Sequence, residues 1–361
     1  MNELSFVPQI CFRVDASMVI GSGHVMRCLT LADALRELGA HCLFICREQI
    51  GDLIFLIKQR GYEVKKLNSK TTLTAIENQE KFIQEDIQQT LAVIGDKKVN
   101  WLIVDHYFLN EIWERSMREK FDQIMVIDDL ANRSHDCDIL LDQNLREHSF
   151  KRYQSLVPSH CQILTGPNHV LLGQQYKTMP LRQRDGTIQH ILVYMGGNDT
   201  TNQAGNVLQA LQLIPKIKAT IVLGHSHPHR NALLNFIHVD NRFQVMDTCQ
   251  DMAHEMNLAD LAVGTCGIAA WERCALGLPS LVAISAENQR EDALTLHKLG
   301  AVECLGNAEN LVPTDWLRAI ERHLSAPEKV REMGRVSQSI VAGHETNFRQ
   351  LVNQIWSKHA H

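Results

Sequence analysis

A histidine sits where a strand pattern gives way to a helix pattern. Arg13-Val14-Asp15-Ala16-Ser17 closes an apolar run, and Gly21-Ser22-Gly23-His24-Val25-Met26-Arg27 opens a stretch with apolar residues at helical spacing. A turn of this kind aims backbone N–H groups past the helix start, which suits an anion or a developing negative charge. The same positive helix end disfavours an imidazolium, so His24 is expected as a neutral ring able to act as a general base. It could equally be a helix cap or a core histidine. Asp15 could orient His24, hold a sugar hydroxyl, or cap the turn. The glycines Gly21 and Gly23 do not complete Gly-x-Gly-x-x-Gly, and Gly-Ser-Gly is not a nucleophile elbow, so neither a dinucleotide site nor a serine hydrolase is indicated.

Other polar residues follow apolar runs in the same way. Asp105-His106-Tyr107 ends one run, where an open parallel sheet would bind its ligand; capping and packing are the alternative roles. Asp128-Asp129 ends the next, and reads as a solvated loop before it reads as an acid–base or metal pair. Met195-Gly196-Gly197-Asn198-Asp199 is a second glycine-containing turn, either approached closely by a phosphate or capped by Asn198 or Asp199. In Gly264-Thr265-Cys266-Gly267-Ile268-Ala269-Ala270-Trp271-Glu272 small residues open a helix, and Glu272 one to two turns in could accept both hydroxyls of a ribose. Ser285-Ala286-Glu287-Asn288-Gln289 could offer amides to a sugar, or Asn288 could cap the next helix. His225-Ser226-His227-Pro228-His229 lacks carboxylates or thiols at metal spacing, and no metal site is expected.

The elements that must hold these residues alternate along the chain. Strands are expected at 9–14, 41–46, 62–67, 101–106, 123–128 and 138–143, with helices at 24–38, up to about 95, and at 110–120. A polar stretch at 173–188 with Pro180 and Gly186 reads as a linker. Strands at 190–195, 219–224, 242–246, 260–264 and 279–284 follow, with helices at 202–213, 228–238, 267–276, 288–299 and 313–323, and two more between 327 and 358. This β–α–β rhythm predicts an α/β protein of two Rossmann-like, doubly wound domains, 1–183 and 184–361, facing each other across a cleft. The last helix could return to the first domain.

The chain of 361 residues is long enough for two such domains. Hydrophobic residues make up 45% and charged residues 21%, as in a globular protein rather than a disordered one. The formal charge of −5 and the lack of a basic run argue against a nucleic-acid partner. No apolar stretch is long enough to span a membrane, and no signal peptide is evident. The ten cysteines form no C-x-x-C pair and mostly sit in apolar runs, as buried thiols of a reducing compartment do. A cytoplasmic monomer without cofactor or stable membrane association is expected.

Taken together, these stretches resemble nucleotide-sugar enzymes of the GT-B type. The C-terminal half is similar to the UDP-binding half of the lipid II-forming N-acetylglucosaminyltransferase. Nearly the whole chain resembles the UDP-sugar hydrolases of pseudaminic acid biosynthesis. The resemblance rests on Arg13-x-Asp-x-Ser-x3-Gly-x-Gly-His-x2-Arg27, Asp105-His-Tyr107, Cys137-Asp-Ile-Leu-Leu141, Met195-Gly-Gly-Asn-Asp199, Trp271-Glu272 and Asn288-Gln289. It implies metal-independent hydrolysis of UDP-2,4-diacetamido-2,4,6-trideoxy-β-L-altropyranose at the sugar C1–O bond. It implies that His24 is catalytic, with Tyr107 and Asn288 beside it. Glu272 would hold the ribose, and the Gly196-Gly197 turn and the Gly267 helix start would face the diphosphate. Arg13, Asp15, Gly21, Gly23, Asn198 and Gln289 complete the implied substrate contacts.

Two neighbouring chemistries share these parts. A GT-B glycosyltransferase would pass the sugar to an acceptor, although no membrane-docking stretch is evident in the N-terminal half. A hydrolysing UDP-N-acetylglucosamine 2-epimerase also releases UDP, but Gly-Ser-Gly-His24 matches it less well. A sensor or scaffold that keeps the site without turnover is the non-enzymatic alternative.

Overall fold

The computed structural model describes residues 7–68, 79–224, 227–237, 240–246, 249 and 251–358. The chain forms two compact units, one of residues 1–171 with 344–361, the other of residues 172–343.

The first unit is built on seven strands: β1 (Gln9–Val14), β2 (His41–Arg47), β3 (Glu63–Leu67), β4 (Val99–Asp105), β5 (Phe121–Ile127), β6 (Ile139–Asp142) and β7 (Gln162–Thr165). They pair in the order β3-β2-β1-β4-β5-β6-β7, and every pairing is parallel. A parallel sheet is covered on both faces, so its strands read as nearly continuous apolar runs. The alternation along β1 shows the two faces. Ile10, Phe12 and Val14 join the core that includes Leu29, Ala32 and Leu35 of the helix Gly23–Glu37. Cys11 joins the other core, with Phe82, Ile83 and Ile87 of the helix Gln79–Ile94. The helix His344–Ser357 completes the first of these cores through Phe348, Leu351, Val352 and Ile355.

The second unit has six parallel strands: β8 (His190–Tyr194), β9 (Lys218–Val222), β10 (Phe243–Met246), β11 (Leu261–Thr265), β12 (Ser280–Ile284) and β13 (Glu303–Asn307). Their order is β10-β9-β8-β11-β12-β13. In each sheet the strand order reverses once, between β1 and β4 and between β8 and β11. Ligands of doubly wound sheets bind beyond the carboxyl ends of the strands at this reversal.

The boundary expected at 183/184 lies inside the second unit. The segment with linker-like composition carries a short helix, Gln174–Thr178, with Tyr176 buried. Further along, Arg184 donates from Nε to the Ala259 carbonyl (2.9 Å), from Nη1 to Leu276 (2.8 Å) and from Nη2 to Met256 (2.9 Å). Polar composition here marks side chains that satisfy carbonyls of the second unit. Strands β7 and β13 go beyond the expected set; neither has a fully buried residue, so neither shows an apolar run.

Candidate functional site

In the first unit the site grows from the reversal between β1 and β4. The loop after β1 tightens at Ser17, whose Oγ accepts from Ile20 N (3.0 Å) and whose carbonyl accepts from Gly21 N (2.8 Å). Gly21 holds φ +83°, a conformation that favours glycine. The helix Gly23–Glu37 then starts with no side-chain cap on Ser22 and no acidic residue in its first turn. The N–H groups of that turn are left for water or a ligand.

His24 is buried in the first turn of this helix. Its Nδ1 lies 2.5 Å from Asp105 Oδ1, at the end of β4. The same carboxylate accepts a two-pronged bond from Arg27, from Nε at 2.5 Å to Oδ2 and from Nη2 at 2.6 Å to Oδ1. Burial alone would raise the Asp105 carboxyl; the charge of Arg27 and the bond to His24 overcome it and hold it below the usual range. An ionised Asp105 can only accept, so Nδ1 carries the hydrogen and Nε2 is the atom that can take a proton from water. The ring of Tyr107 meets the His24 ring edge-to-face, with centroids 4.4 Å apart and planes at 89°.

Arg13 and Asp15 are placed differently from the expectation that they touch substrate. Both are buried, and Arg13 Nη1 donates to Asp15 Oδ1 at 2.6 Å. Arg13 also reaches Asp86 on the helix Gln79–Ile94, from Nε (3.1 Å) and Nη2 (2.6 Å). Arg47 Nη2 (2.6 Å) and Trp113 Nε1 (2.9 Å) donate to the same carboxylate. Asp15 accepts in addition from Arg47 N at 2.7 Å and from His106 Nε2 at 3.2 Å. Burial opposes the charge on both acids, but Arg13 outweighs it and holds each below its usual range. Arg13 and Asp15 therefore position the strand ends. The orienting role entertained for Asp15 belongs to Asp105.

Adjacent residues after β4 thus serve two layers. Asp105 holds His24, His106 locks onto Asp15, and Tyr107 packs on the His24 ring. Asp128 is no solvated loop residue. It is buried, lies 2.7 Å from Arg133 Nη1, and accepts from Ala131 N at 2.8 Å.

In the second unit the turns after β8 and β11 lie side by side. Gly196 has φ +82°, and a Cβ there would stand 3.7 Å from Thr265 Oγ1. A Cβ on Gly267 would stand 3.5 Å from Gln289 Nε2. The helix Gln203–Gln212 is closed to an anion at its start, since Asp199 accepts from Gln203 N and Ala204 N, both at 2.8 Å. The capping role is the one Asp199 takes, and His227 Nε2 lies 3.3 Å from it. Of the remaining histidine tract, His229 Nε2 is 3.3 Å from the Thr200 carbonyl, while 225 and 226 lie outside the described residues. The helix Ile268–Ala275 is the open one, with Gly267 as N-cap, no side-chain cap and no acid in its first turn.

Glu272 is partly exposed on that helix. Burial of its carboxyl pushes it up to about 7, against the Tyr176 hydroxyl bond and the Arg273 charge. Asn288 is exposed in the single turn Glu287–Gln289, and Gln289 Oε1 accepts from Ser285 Oγ at 3.0 Å.

Comparison with known proteins bears on both units. Over 251 residues the chain is 27% identical to the UDP-2,4-diacetamido-2,4,6-trideoxy-β-L-altropyranose hydrolase of Campylobacter jejuni, covering 69% of this chain and 81% of that protein. Over 311 residues it is 26% identical to the spore coat polysaccharide biosynthesis protein SpsG of Bacillus subtilis, covering 84% and 85%. No family model matches the chain. Among solved structures it is similar to LpCGTa in complex with UDP (TM-score 0.67, 12% identity, 97% of this chain and 99% of that one). It is likewise similar to MurG of Acinetobacter baumannii (TM-score 0.63, 13% identity, 97% and 99%). The fold is that of the GT-B glycosyltransferases.

Sequence reading therefore names His24, Tyr107, Gly196 and Gly267 at the two strand reversals, with Glu272 on the helix after β11 and Gln289 after β12. It gives no role to Arg27, Asp86 or Tyr176. Arg27 shares a face with His24 at i+3, a spacing that could have flagged it. The pairing of Asp86 with Arg13 spans 73 residues and leaves no local signal. No helix among the described residues is long and apolar enough to cross a membrane.

Proposed function

We propose that this chain hydrolyses UDP-2,4-diacetamido-2,4,6-trideoxy-β-L-altropyranose to the free sugar and UDP, a step in pseudaminic acid biosynthesis. The observation that carries this reading is the Asp105–His24 pair at an uncapped helix start, with Nδ1 engaged and Nε2 left to act. The similarity to the Campylobacter hydrolase supports the choice of substrate.

Water attacks C1 as the C1–O bond breaks and UDP leaves with the bonding pair. His24 Nε2 takes the water proton, and the ionised Asp105 balances the imidazolium that forms. Direct displacement inverts C1 and needs no carboxylate nucleophile. The second unit takes the nucleotide. The open helix start at Gly267 and the Gly196-Gly197 turn meet the diphosphate, where fixed dipoles favour the charge that develops on UDP. Glu272 accepts the ribose hydroxyls. Asn198, Asn288 and Gln289 supply amides to the sugar and phosphates, and Gly21 and Gly23 keep the loop before His24 narrow. No metal or cofactor takes part.

The test is an NMR time course of the purified protein with this UDP-sugar, in EDTA and without acceptor. Free reducing sugar and UDP, with inverted configuration in the first-formed anomer, are expected. Unchanged substrate would overturn the proposal and direct the search to acceptors, as for the glycosyltransferases that share the fold.

A further inference from the structure

One stretch singled out in the sequence takes no part in the proposed site. Cys137-Asp-Ile-Leu-Leu141 leads into β6, and Cys161 stands just before β7. The two strands pair in parallel from Ile139 with Gln162 to Asp142 with Thr165. At the start of the pairing Gln162 N donates to the Asp138 carbonyl at 2.9 Å. Both cysteines therefore lie at the amino-terminal ends of these strands, whereas Asp105 ends β4 at its carboxyl side.

The Sγ atoms of Cys137 and Cys161 stand 3.6 Å apart. Two sulfurs in contact need only a small side-chain rotation to reach the bonded distance of about 2 Å. Among the described residues no other two thiols are in such contact. The pair is asymmetric: Cys137 is fully buried and Cys161 is partly exposed. The bond to Cys161, with burial, pushes the Cys137 thiol well above its ordinary range, so Cys137 keeps its proton. Cys161 is the member that an external reagent meets first.

We infer that Cys137 and Cys161 form a redox-active pair, a modification site for small-molecule disulfides of the glutathione type, and close reversibly into a covalent bond between β6 and β7. The Cys161 thiolate attacks one sulfur of the small disulfide and its S–S bond breaks. One thiol leaves with the bonding pair and takes up the proton that Cys161 released. Cys137 then attacks Cys161 Sγ in the mixed disulfide, and the second thiol leaves with the Cys137 proton. The chain is oxidised by two electrons and loses two hydrogens, while the small disulfide is reduced to two thiols.

The bond would clamp a weakly held edge. Strand β7 is the last of its sheet and has no fully buried residue. It also meets the returning helix His344–Ser357, whose Gln354 Nε2 donates to Gln162 Oε1 at 2.6 Å. A disulfide here closes a loop spanning 24 positions, which restricts the opened chain more than the closed one. The inference stands apart from the reaction proposed above, since it uses no residue of that site.

The experiment is incubation of the full chain with mixtures of oxidised and reduced glutathione at about pH 8, followed by acid quenching, alkylation and peptide mass spectrometry. The expected product is a cross-linked peptide holding Cys137 and Cys161. The intact chain should be lighter by two hydrogen atoms and return to its starting mass with dithiothreitol. Hydrogen exchange at the β7 amides should slow about tenfold on oxidation, with β8 and β11 unchanged. Cys137→Ala should instead hold glutathione on Cys161 as a lasting mixed disulfide. Wild type that stops at the same mixed disulfide, or that links Cys161 to another cysteine, would overturn the inference. A link that leaves β7 exchange unchanged would overturn the clamp. Where Cys137→Ala does not fold, Cys161→Ser serves instead, at a partly exposed position. It should lose the two-hydrogen change, and keeping it overturns the pairing.

Discussion

His24 and Asp105 lie 81 residues apart in sequence and 2.5 Å apart in space, Nδ1 to Oδ1. The strand reversal makes this possible, because β1 and β4 are neighbours and the helix after β1 begins above the end of β4. Arg27 completes the arrangement by taking both oxygens of the same carboxylate. The carboxylate therefore stays ionised with or without a proton on His24, and it stabilises the ring in either state.

From this follows a graded loss of turnover. His24→Asn should abolish hydrolysis to within assay limits while leaving UDP affinity unchanged. Asp105→Asn keeps the shape but removes the charge, and should lower kcat by about 10²- to 10⁴-fold with little change in KM. Single-turnover kinetics with the UDP-sugar checks both. Equal kcat for His24→Asn and wild type would remove the proposed base. Asp105→Ala is the less informative variant, since it leaves the Arg27 guanidinium buried without its partner, at a cost of about 3–5 kcal/mol.

Beneath the site, Asp86 neutralises Arg13 and Arg47 together. Asp86→Ala should destabilise the first unit by about 3–5 kcal/mol, because two guanidinium groups lose one counter-charge in a buried setting. Hydrogen exchange at the amides of the helix Gln79–Ile94 reads this locally. Exchange should accelerate there while the amides of β8 and β11 keep their protection. The sign with pH is also set. Asp15, Asp86 and Asp105 are all held below the ordinary 3.8, so their contribution is present above that value. It is lost as pH falls through the folded values.

How much of the fold and the site is legible in the sequence depends on the distance over which each signal acts. The apolar runs of β1, β4, β8 and β11 are local, and so are the glycine turns after them. These put His24 and Tyr107 beyond strand ends of the first unit, and Gly196 and Gly267 beyond strand ends of the second, with Glu272 on the helix that Gly267 opens. Charges that pair across the sheet leave no such trace. Arg13 and Asp15 look like surface residues at a strand end, yet both are buried because Asp86, Arg47 and His106 arrive from three other segments. Tyr176 fails to announce itself for a related reason. Its neighbours Gln174, Gln175 and Lys177 are polar, and one buried aromatic in such a stretch makes no periodic pattern.

Glu272 sets a second pH dependence, opposite in direction to that of the buried aspartates. Its carboxyl rises from the ordinary 4.5 to about 7. Between these values the folded chain holds a proton that the unfolded chain has released, so stability falls as pH rises through this window. Glu272→Gln removes the effect. The variant should match wild type near pH 4.5 and exceed it by about 1–3 kcal/mol near pH 8 in urea unfolding. Asp142, raised to about 6 mainly by burial, adds a contribution of the same sign, but it is common to both proteins and cancels in the comparison. A gap that is constant with pH would show that Glu272 titrates in its ordinary range.

The last prediction concerns the turn that the nucleotide is proposed to meet. Arg273 is buried and holds that turn from below. It donates from Nη2 to the Thr265 carbonyl at 2.7 Å and from Nε to Ser280 Oγ at 3.1 Å. The guanidinium passes close to Gly264, where a Cβ would come within 2.6 Å of the Tyr194 carbonyl oxygen and 3.0 Å of Arg273 Nη1. A backbone oxygen in a paired strand cannot retreat, so the strand or the guanidinium must shift. Gly264→Ala should therefore destabilise the second unit by about 1–3 kcal/mol. With Arg273 displaced, the Thr265 carbonyl loses its donor and the N–H groups at the Gly267 helix start lose their fixed aim. UDP affinity should fall about tenfold, a bond's worth of free energy. Calorimetry with UDP and hydrogen exchange of β11 check the two effects together. Unchanged affinity despite weakened protection at β11 would mean that the Gly267 helix start does not hold the diphosphate.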